Sequence, residues 1–275
     1  MKKSIAILIV MVMAGTVQAA FNDAVNALNP VGYWQFEDDW TDETAGGNTL
    51  TPFGSSAAFT DGPGLPGLSG RAADFRHEGG QSGASVATGG GNVLNLSGSA
   101  YTINAWVSNR DFFTGQNRSF IAVERDANWN ASAGANYGLS TFRDNTGLTN
   151  MRSWTQGSLA NATDIAGVDD GWHMMTVSAT LGGTANFYID GALVGSGSVG
   201  GSSLAGDGAF LSVGNNCDGS GCPGNDLDGR IDELAVFDTA LTGPQIQGLY
   251  DAAIPEPATL GLLGLGSLAF LRRRR

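Results

Sequence analysis

The residues best placed to do chemistry in this 275-residue chain are two clusters of carboxylates. Glu37-Asp38-Asp39 with Asp42-Glu43 forms one, and Asp226, Asp228, Asp232 and Glu233 form the other. Paired carboxyls serve two kinds of chemistry: acid and nucleophile work on a glycosidic bond, or oxygen ligation of a hard divalent cation. Hydrolysis with retention needs the two carboxyls about 5–5.5 Å apart. On one strand that spacing calls for alternate or near-alternate acids on the same face. Asp232-Glu233 runs into Leu234-Ala235-Val236-Phe237 before the next acid, Asp238, and Glu37-Asp38-Asp39 runs into Trp40. His77 and His173 lie far apart, and there is no Gly-x-Ser-x-Gly and no phosphate-cradling Gly-Lys-Ser/Thr. No catalytic set emerges, so the expectation is a protein that is not an enzyme.

Tryptophans are the other chemistry-bearing residues. Trp34, Phe36, Trp106, Trp172 and Phe237 belong to apolar runs and are expected in the core. Trp40, Trp129 and Trp154 stand in polar or loop-like surroundings, which makes them the candidates for a sugar-stacking platform.

Short strands must position these side chains. Forty-two glycines, few charges and no long helical periodicity argue for many strands joined by tight turns. Alternating or continuous apolar runs predict strands at Gly32–Phe36, Arg71–Phe75, Tyr101–Val107, Ser119–Val123, Tyr137–Phe142, His173–Thr180, Asn186–Ile189 and Arg230–Phe237. Asp190-Gly191 between Phe187-Tyr188-Ile189 and Ala192-Leu193-Val194 is a hairpin signal. Thr242-Gly243-Pro244-Gln245 has capping-box spacing with proline in the first turn, and Ile246, Leu249 and Tyr250 follow on one face. The pattern predicts an all-β antiparallel sandwich or jelly roll closed by one short C-terminal helix. The Gly/Ser stretches Gly79–Gly91 and Gly195–Gly208 are expected to be loops.

The two ends have a different character. Lys2-Lys3, the apolar run Ile5–Val12 and Val17-Gln18-Ala19 have the order of a cleavable signal peptide over residues 1–20. The mature chain is then expected to begin at Ala20 or Phe21. Two of the 14 basic residues fall in that segment and four more are Arg272–Arg275, leaving eight against 25 of the 26 acids, with no lysine between. A field of that sign repels nucleic acid and favours divalent cations. Export also sets the reading of Cys217 and Cys222, the only cysteines. In an oxidising compartment, Cys217-Asp218-Gly219-Ser220-Gly221-Cys222 is expected to form a disulfide that pins a loop. The alternative, a metal–thiolate site, has no nearby histidine.

Pro255-Glu256-Pro257-Ala258-Thr259-Leu260, the apolar run Ala258–Leu271 and the terminal arginines closely resemble the PEP-CTERM sorting signal. That resemblance, assigned to residues 254–275, implies a Gram-negative host and an exosortase that removes the tail near Pro-Glu-Pro. It also implies a secreted or cell-surface location, passing contact with the membrane, and an association with exopolysaccharide and biofilm.

Between the ends, five landmarks in order resemble the laminin-G-like, concanavalin-A-like jelly roll over residues 21–253. They are Pro30-Val31-Gly32-Tyr33-Trp34-Gln35-Phe36-Glu37, Asp42-Glu43-Thr44-Ala45-Gly46-Gly47-Asn48, Tyr101 to Val107, Asp170-Gly171-Trp172-His173 with Asn186 to Gly191, and Leu227 to Phe237. The glucanases of this fold have a Glu-x-Asp-x-x-Glu pattern, which no segment here repeats. The resemblance further implies one structural Ca²⁺ where the loop after the opening strand meets the closing strand. Carried over, its ligands are Glu37, Asp42 and Asp232, with carbonyls around Gly46 and Asn48. The loop departs from the family's Asp-x-Ser-Gly-Asn by an alanine and an extra glycine, and the same acids also suit a solvated rim. Two function classes follow: a module that binds an extracellular polysaccharide or surface protein, or a non-binding structural component of a matrix or coat.

Overall fold

The structure, a computed structural model, describes residues 20–54, 57–65, 67–68, 70–76, 82–89, 91–110, 119–126, 135–143, 149–155, 158–165, 168–204, 208–216 and 227–254. Residues 1–19, Trp129, Cys217, Cys222 and Pro255-Glu256-Pro257 lie outside that set.

Among the described residues, fifteen strands form two antiparallel sheets that pack as a sandwich. They are β1 (Gly32–Trp34), β2 (Thr51–Phe53), β3 (Ala58–Asp61), β4 (Arg71–Phe75), β5 (Gly83–Ala87), β6 (Ala100–Asn109), β7 (Ser119–Asp126), β8 (Ala135–Arg143), β9 (Thr149–Thr155), β10 (Ser158–Ile165), β11 (Trp172–Thr180), β12 (Thr184–Ile189), β13 (Ala192–Ser198), β14 (Gly208–Val213) and β15 (Gly229–Phe237). The eight-stranded sheet runs β13-β12-β11-β6-β15-β4-β3, with β1 also on β15; the seven-stranded sheet runs β10-β9-β8-β7-β14-β5-β2.

The strand faces follow the period of two. On β6, Tyr101, Ile103, Ala105 and Val107 enter the core between the sheets, while Trp106 faces the opposite side. That opposite side is covered by helices, so the central strands are buried on both faces. Residues 20–26 are helical (α1), and α2 spans Gly243–Ala253. Phe21 and Val25 from α1, and Ile246, Leu249 and Ala253 from α2, pack with Tyr33, Trp106, Met174, Tyr188, Ala235 and Phe237. The Tyr250 ring stacks on Trp106, centroids 5.9 Å apart. At the start of α2, Gln245 Oε1 accepts from both the backbone N–H (2.9 Å) and the hydroxyl (2.8 Å) of Thr242.

Among the described residues there are two helices where the sequence reading expected one, because a short amphipathic segment adjoining a signal-like run carries no separate signal of its own. Two stretches expected as loops also contain strands: Gly79–Gly91 holds β5, and Gly195–Gly208 holds the end of β13. Glycine has a packing reason on β13. A Cβ at Gly195 would lie 2.6 Å from Ala162 Cβ, and one at Gly197 would lie 3.1 Å from Ala160 Cβ, so these glycines let β13 close against β10. The Asp190-Gly191 hairpin forms as its residues predict, with positive φ at both (52° and 80°) and Ile189 paired to Ala192.

Candidate functional site

The two acidic clusters meet only in part. β1 stops after Trp34 because Phe36 and Asp38 adopt positive φ (56° and 69°), and the Asp38 N–H donates back to Phe36 O. This sharp turn delivers the Glu37 carboxylate to the Arg71 N–H (2.9 Å). On β15 a bulge falls between Asp232 and Ala235, with Glu233 at φ 52°. The bulge turns adjacent carboxyls apart. Glu233 accepts a hydrogen bond from the Tyr33 hydroxyl, while an Asp232 oxygen accepts the Glu233 N–H (2.9 Å).

Burial shapes the electrostatics. Asp232 and Glu233 are both buried. Burial, then Glu233, then Glu37 hold the Asp232 carboxyl well above the ordinary carboxylate range. Glu37 is raised chiefly by burial, against the opposing Arg71 N–H. Burial and then Glu233 push the Tyr33 hydroxyl up as well. The β3–β4 backbone seats against this pair. A side chain at Gly70 would overlap the Glu37 carboxylate, and a Cβ at Gly62 would sit 3.3 Å from Asp232 Oδ2.

Asp42 stands apart from this pair. Its Oδ1 accepts from the Tyr33 N–H (3.0 Å) and the Thr44 N–H (2.9 Å), and its Oδ2 accepts from the Asn48 N–H (2.9 Å) and Nδ2 (2.8 Å). Four N–H groups occupy the lone pairs a cation would need, so Asp42 is a staple for its own loop. Among the described residues, no three His, Cys, Asp or Glu side chains are grouped to hold a metal ion. Glu37 and Asp232 with the glycine backbone beside them offer hard oxygen donors of the type Ca²⁺ takes, but the three-carboxylate set is not assembled.

The tryptophans separate just as clearly. Trp34 and Trp106 are buried, as are Phe36 and Phe237, while Trp172 is half-buried with the Arg230 guanidinium 5.0 Å over its ring. Trp40 is not a platform: it packs with Phe59 (4.8 Å), Phe36 (5.7 Å) and Phe75 (6.0 Å) against the core. Trp154 lies on the outward face of the seven-stranded sheet. Met151 and Ser153 point inward, Ser153 to the Tyr101 hydroxyl, so the strand's alternation turns Arg152 and Trp154 outward. The Trp154 indole packs on Val123 and its Nε1–H donates to Ser140 Oγ (3.2 Å).

The same face is polar, which sequence reasoning did not anticipate. Arg125 on β7, Asn136 and Ser140 on β8, Asn150 and Arg152 on β9, and Ser212 on β14 belong to it. Arg125, Asn136, Ser140, Asn150 and Ser212 are nearly inaccessible, so the middle of the face is recessed; the accessible strip runs along β9–β10 past Arg152, Asn161 and Leu159. Asn136 Nδ2 and Asn161 Oδ1 are buried and have no hydrogen-bond partner among the described residues. Buried amides ordinarily spend both donor and acceptor, so these two stand out on this face. The signal in the sequence was the outward alternation of Asn, Arg and Trp along Asn150–Trp154, which no predicted strand had covered.

An antiparallel sandwich with one helix-covered face and one recessed polar face defines a lectin-type jelly roll. A family model described as the concanavalin A-like lectin/glucanases superfamily matches residues 78–247, and the PEP-CTERM protein-sorting motif matches residues 253–275. The chain belongs to that superfamily and carries a sorting signal of exported proteins. No curated protein matches it.

Solved structures share the fold at low identity. Domain 4 of AbnA, a GH43 extracellular arabinanase from Geobacillus stearothermophilus in complex with arabinotriose, is 21% identical over 80% of this chain and 98% of that one, with a TM-score of 0.59. The binding domain of botulinum neurotoxin serotype D/C is 14% identical over 84% of this chain and 53% of that one, with a TM-score of 0.58. A botulinum neurotoxin type C structure, described with a dependence of cell entry on two ganglioside molecules, is 13% identical over 83% and 52%, also at 0.58. The chain spans about half the length of these toxin domains.

Proposed function

We propose that this is an exported, non-catalytic carbohydrate-binding module whose ligand lies on the outward face of the seven-stranded sheet. The observation that carries the reading is the pair of unspent buried amides, Asn136 Nδ2 and Asn161 Oδ1, on the same face as Trp154. A sugar needs both parts of that arrangement: an apolar ring to stack on and fixed amides to bond its hydroxyls. Support also comes from the superfamily and from neighbours whose descriptions name arabinotriose and gangliosides as their own ligands. The non-catalytic reading is supported by the acids, since Asp232 and Glu233 lie beneath the helix layer and away from that face. An exosortase is the partner the tail calls for, and a host-derived polysaccharide in a Gram-negative matrix is the proposed target.

Affinity electrophoresis against a panel of soluble polysaccharides tests this. At least one should retard the protein, and Trp154→Ala should lose about 1–3 kcal/mol of that binding, the usual scale for an aromatic stacking contact, with little change in Tm. A panel that leaves mobility unchanged would favour the non-binding structural role.

A further inference from the structure

One end of the eight-stranded sheet carries a row of side chains from four strands. Asp74 on β4, Arg230 on β15, Ser108 on β6 and Trp172 on β11 stand opposite one another in register. The next row on that face includes Trp106, on which Tyr250 of α2 stacks. The Arg230 guanidinium lies 5.0 Å over the Trp172 ring, and its Nη2–H donates to Ser108 Oγ (2.8 Å). Both residues are half-buried, so the guanidinium is held flat on the indole and still within reach of solvent. What Arg230 lacks is a carboxylate. Between the two ends the chain has eight arginines against 25 acids. Arg71 pairs with Asp38 (3.0 Å) and Asp61 (3.6 Å), while Arg76 and Arg110 pair with acids at this same end. Asp74 faces Arg230 across the strands but is already engaged: its Oδ1 accepts from Arg110 Nη2 and its Oδ2 from Arg76 Nη2 (3.2 Å). Asp228 Oδ1 accepts from Arg110 Nη1 (3.2 Å). Among the described residues Arg230 makes no ion pair, and its Nε–H is buried without a hydrogen-bond partner. Three guanidiniums thus share two carboxylates, and the cluster is one negative charge short of balance.

We propose that this end of the sheet binds a carboxylate carried on a sugar, a uronate-type unit, with Arg230 as its receptor. The site belongs to the sheet opposite the Trp154 face and rests on its own residues. A planar guanidinium holds a carboxylate through paired N–H donors, and the stack on Trp172 fixes that plane before the ligand arrives. The half-buried indole beside it offers apolar surface to the C–H groups of a sugar ring. The charge count sets the ligand at one carboxylate. Asp169 and Asp170 are exposed in the loop that leads into Trp172, so negative charge on the neighbouring units of a chain is repelled. A densely charged polyuronate is therefore disfavoured, and a single acidic unit in an otherwise neutral chain is favoured.

The nitrogen-labelled full chain in mild detergent is titrated separately with glucuronate, glucose, trigalacturonate and a blocked aspartate, N-acetyl-aspartate methylamide, while NMR follows the indole and guanidinium N–H signals. Glucuronate should move the Trp172 indole and Arg230 Nε–H signals and bind more tightly than glucose or the blocked aspartate. Arg230→Gln should weaken it about tenfold or more, with Arg230→Lys recovering only part, because the charge returns without the fork. Glucose bound as tightly would overturn the recognition of a carboxylate. Blocked aspartate bound as tightly would assign the site to peptide carboxylates and overturn the sugar assignment. Trigalacturonate bound much more tightly than glucuronate would overturn the limit to one charge. Shifts confined to Trp154 and its neighbours would overturn this site while leaving the carbohydrate reading of the other face standing. No shift at Trp172 or Arg230 with glucuronate would leave the stack as a structural contact and overturn the proposal. If Arg230→Gln lowers Tm, the preference of the unaltered protein for glucuronate over glucose at the Trp172 signal decides alone, and equal binding of the two overturns the proposal.

Discussion

At the scale of single residues, the acidic clusters illustrate how one residue type takes opposite roles. Asp42 is buried with four N–H donors around it, and its charge is spent on the turn that follows β1. Asp232 is buried beside two other carboxyls, and its charge is suppressed. We propose that a structural Ca²⁺ takes Glu37 and Asp232 as its carboxylate donors and does not take Asp42. A cation that binds only the folded state adds about 2.7 kcal/mol at a hundredfold excess over Kd. Melting should therefore rise by several degrees in millimolar Ca²⁺ over EDTA. Asp232→Asn should erase that difference, whereas Asp42→Asn should lower both curves and keep the gap. Coincident curves for the unaltered protein would leave the pair as a structural contact alone.

Elements come next, and here a histidine ties two of them. His173 at the start of β11 meets Asp190 in the β12–β13 turn (2.8 Å) and Asp169 in the preceding loop (3.3 Å). The Asp190 hydrogen bond, against an opposing burial cost, raises the imidazole pKa, with Asp169 adding to it. A raised folded-state pKa means the protonated ring favours the fold. That stability is complete below the unfolded value, about 6.5, and is lost as pH rises through the folded one. Differential scanning calorimetry should show Tm declining across that window by an amount worth up to about 1 kcal/mol for a partly exposed pair. His173→Gln should flatten the decline, and equal slopes in both proteins would show that the latch carries no stability. The β10–β13 seam is the other element-scale device. Alanines on one strand face glycines on the other, so the sandwich closes at that edge without large side chains.

For the whole molecule, the two faces of the sandwich divide the work. Both helices cover the eight-stranded sheet, and Ile254, after α2, leads into the sorting motif from that side. The Gly67 N–H donates to Ala253 O (2.9 Å), which fixes the exit point. The polar face with Trp154 lies on the opposite sheet. No helix among the described residues is long and apolar enough to cross a membrane. Because Phe21 is buried and Asn22 Oδ1 lies 3.0 Å from the Tyr33 hydroxyl oxygen, the processed chain should keep both. Intact-mass analysis of the host's surface protein should then find Ala20 or Phe21 first and the Arg272–Arg275 run gone. A chain ending in Arg275 at the surface would overturn sorting by tail removal.

Local pattern was enough for the fold class, the Asp190-Gly191 hairpin, α2 and the sorting tail. Each is written within a few consecutive residues: alternation, a turn pair needing two positive φ values, a capping box, a Pro-Glu-Pro run. Strands β2, β3, β5, β9, β10 and β14 were not legible, because they are short or interrupted by small and polar residues and their apolar partners lie on other strands. The same reason hid the polar face, whose members come from five strands that only sheet pairing makes neighbours. Tertiary structure alone decided the fates of Asp42 and Trp40. Nothing in their own neighbourhood says whether a carboxylate will find four N–H groups, or whether an indole will find three phenyl rings, since those partners arrive from the packing of distant segments.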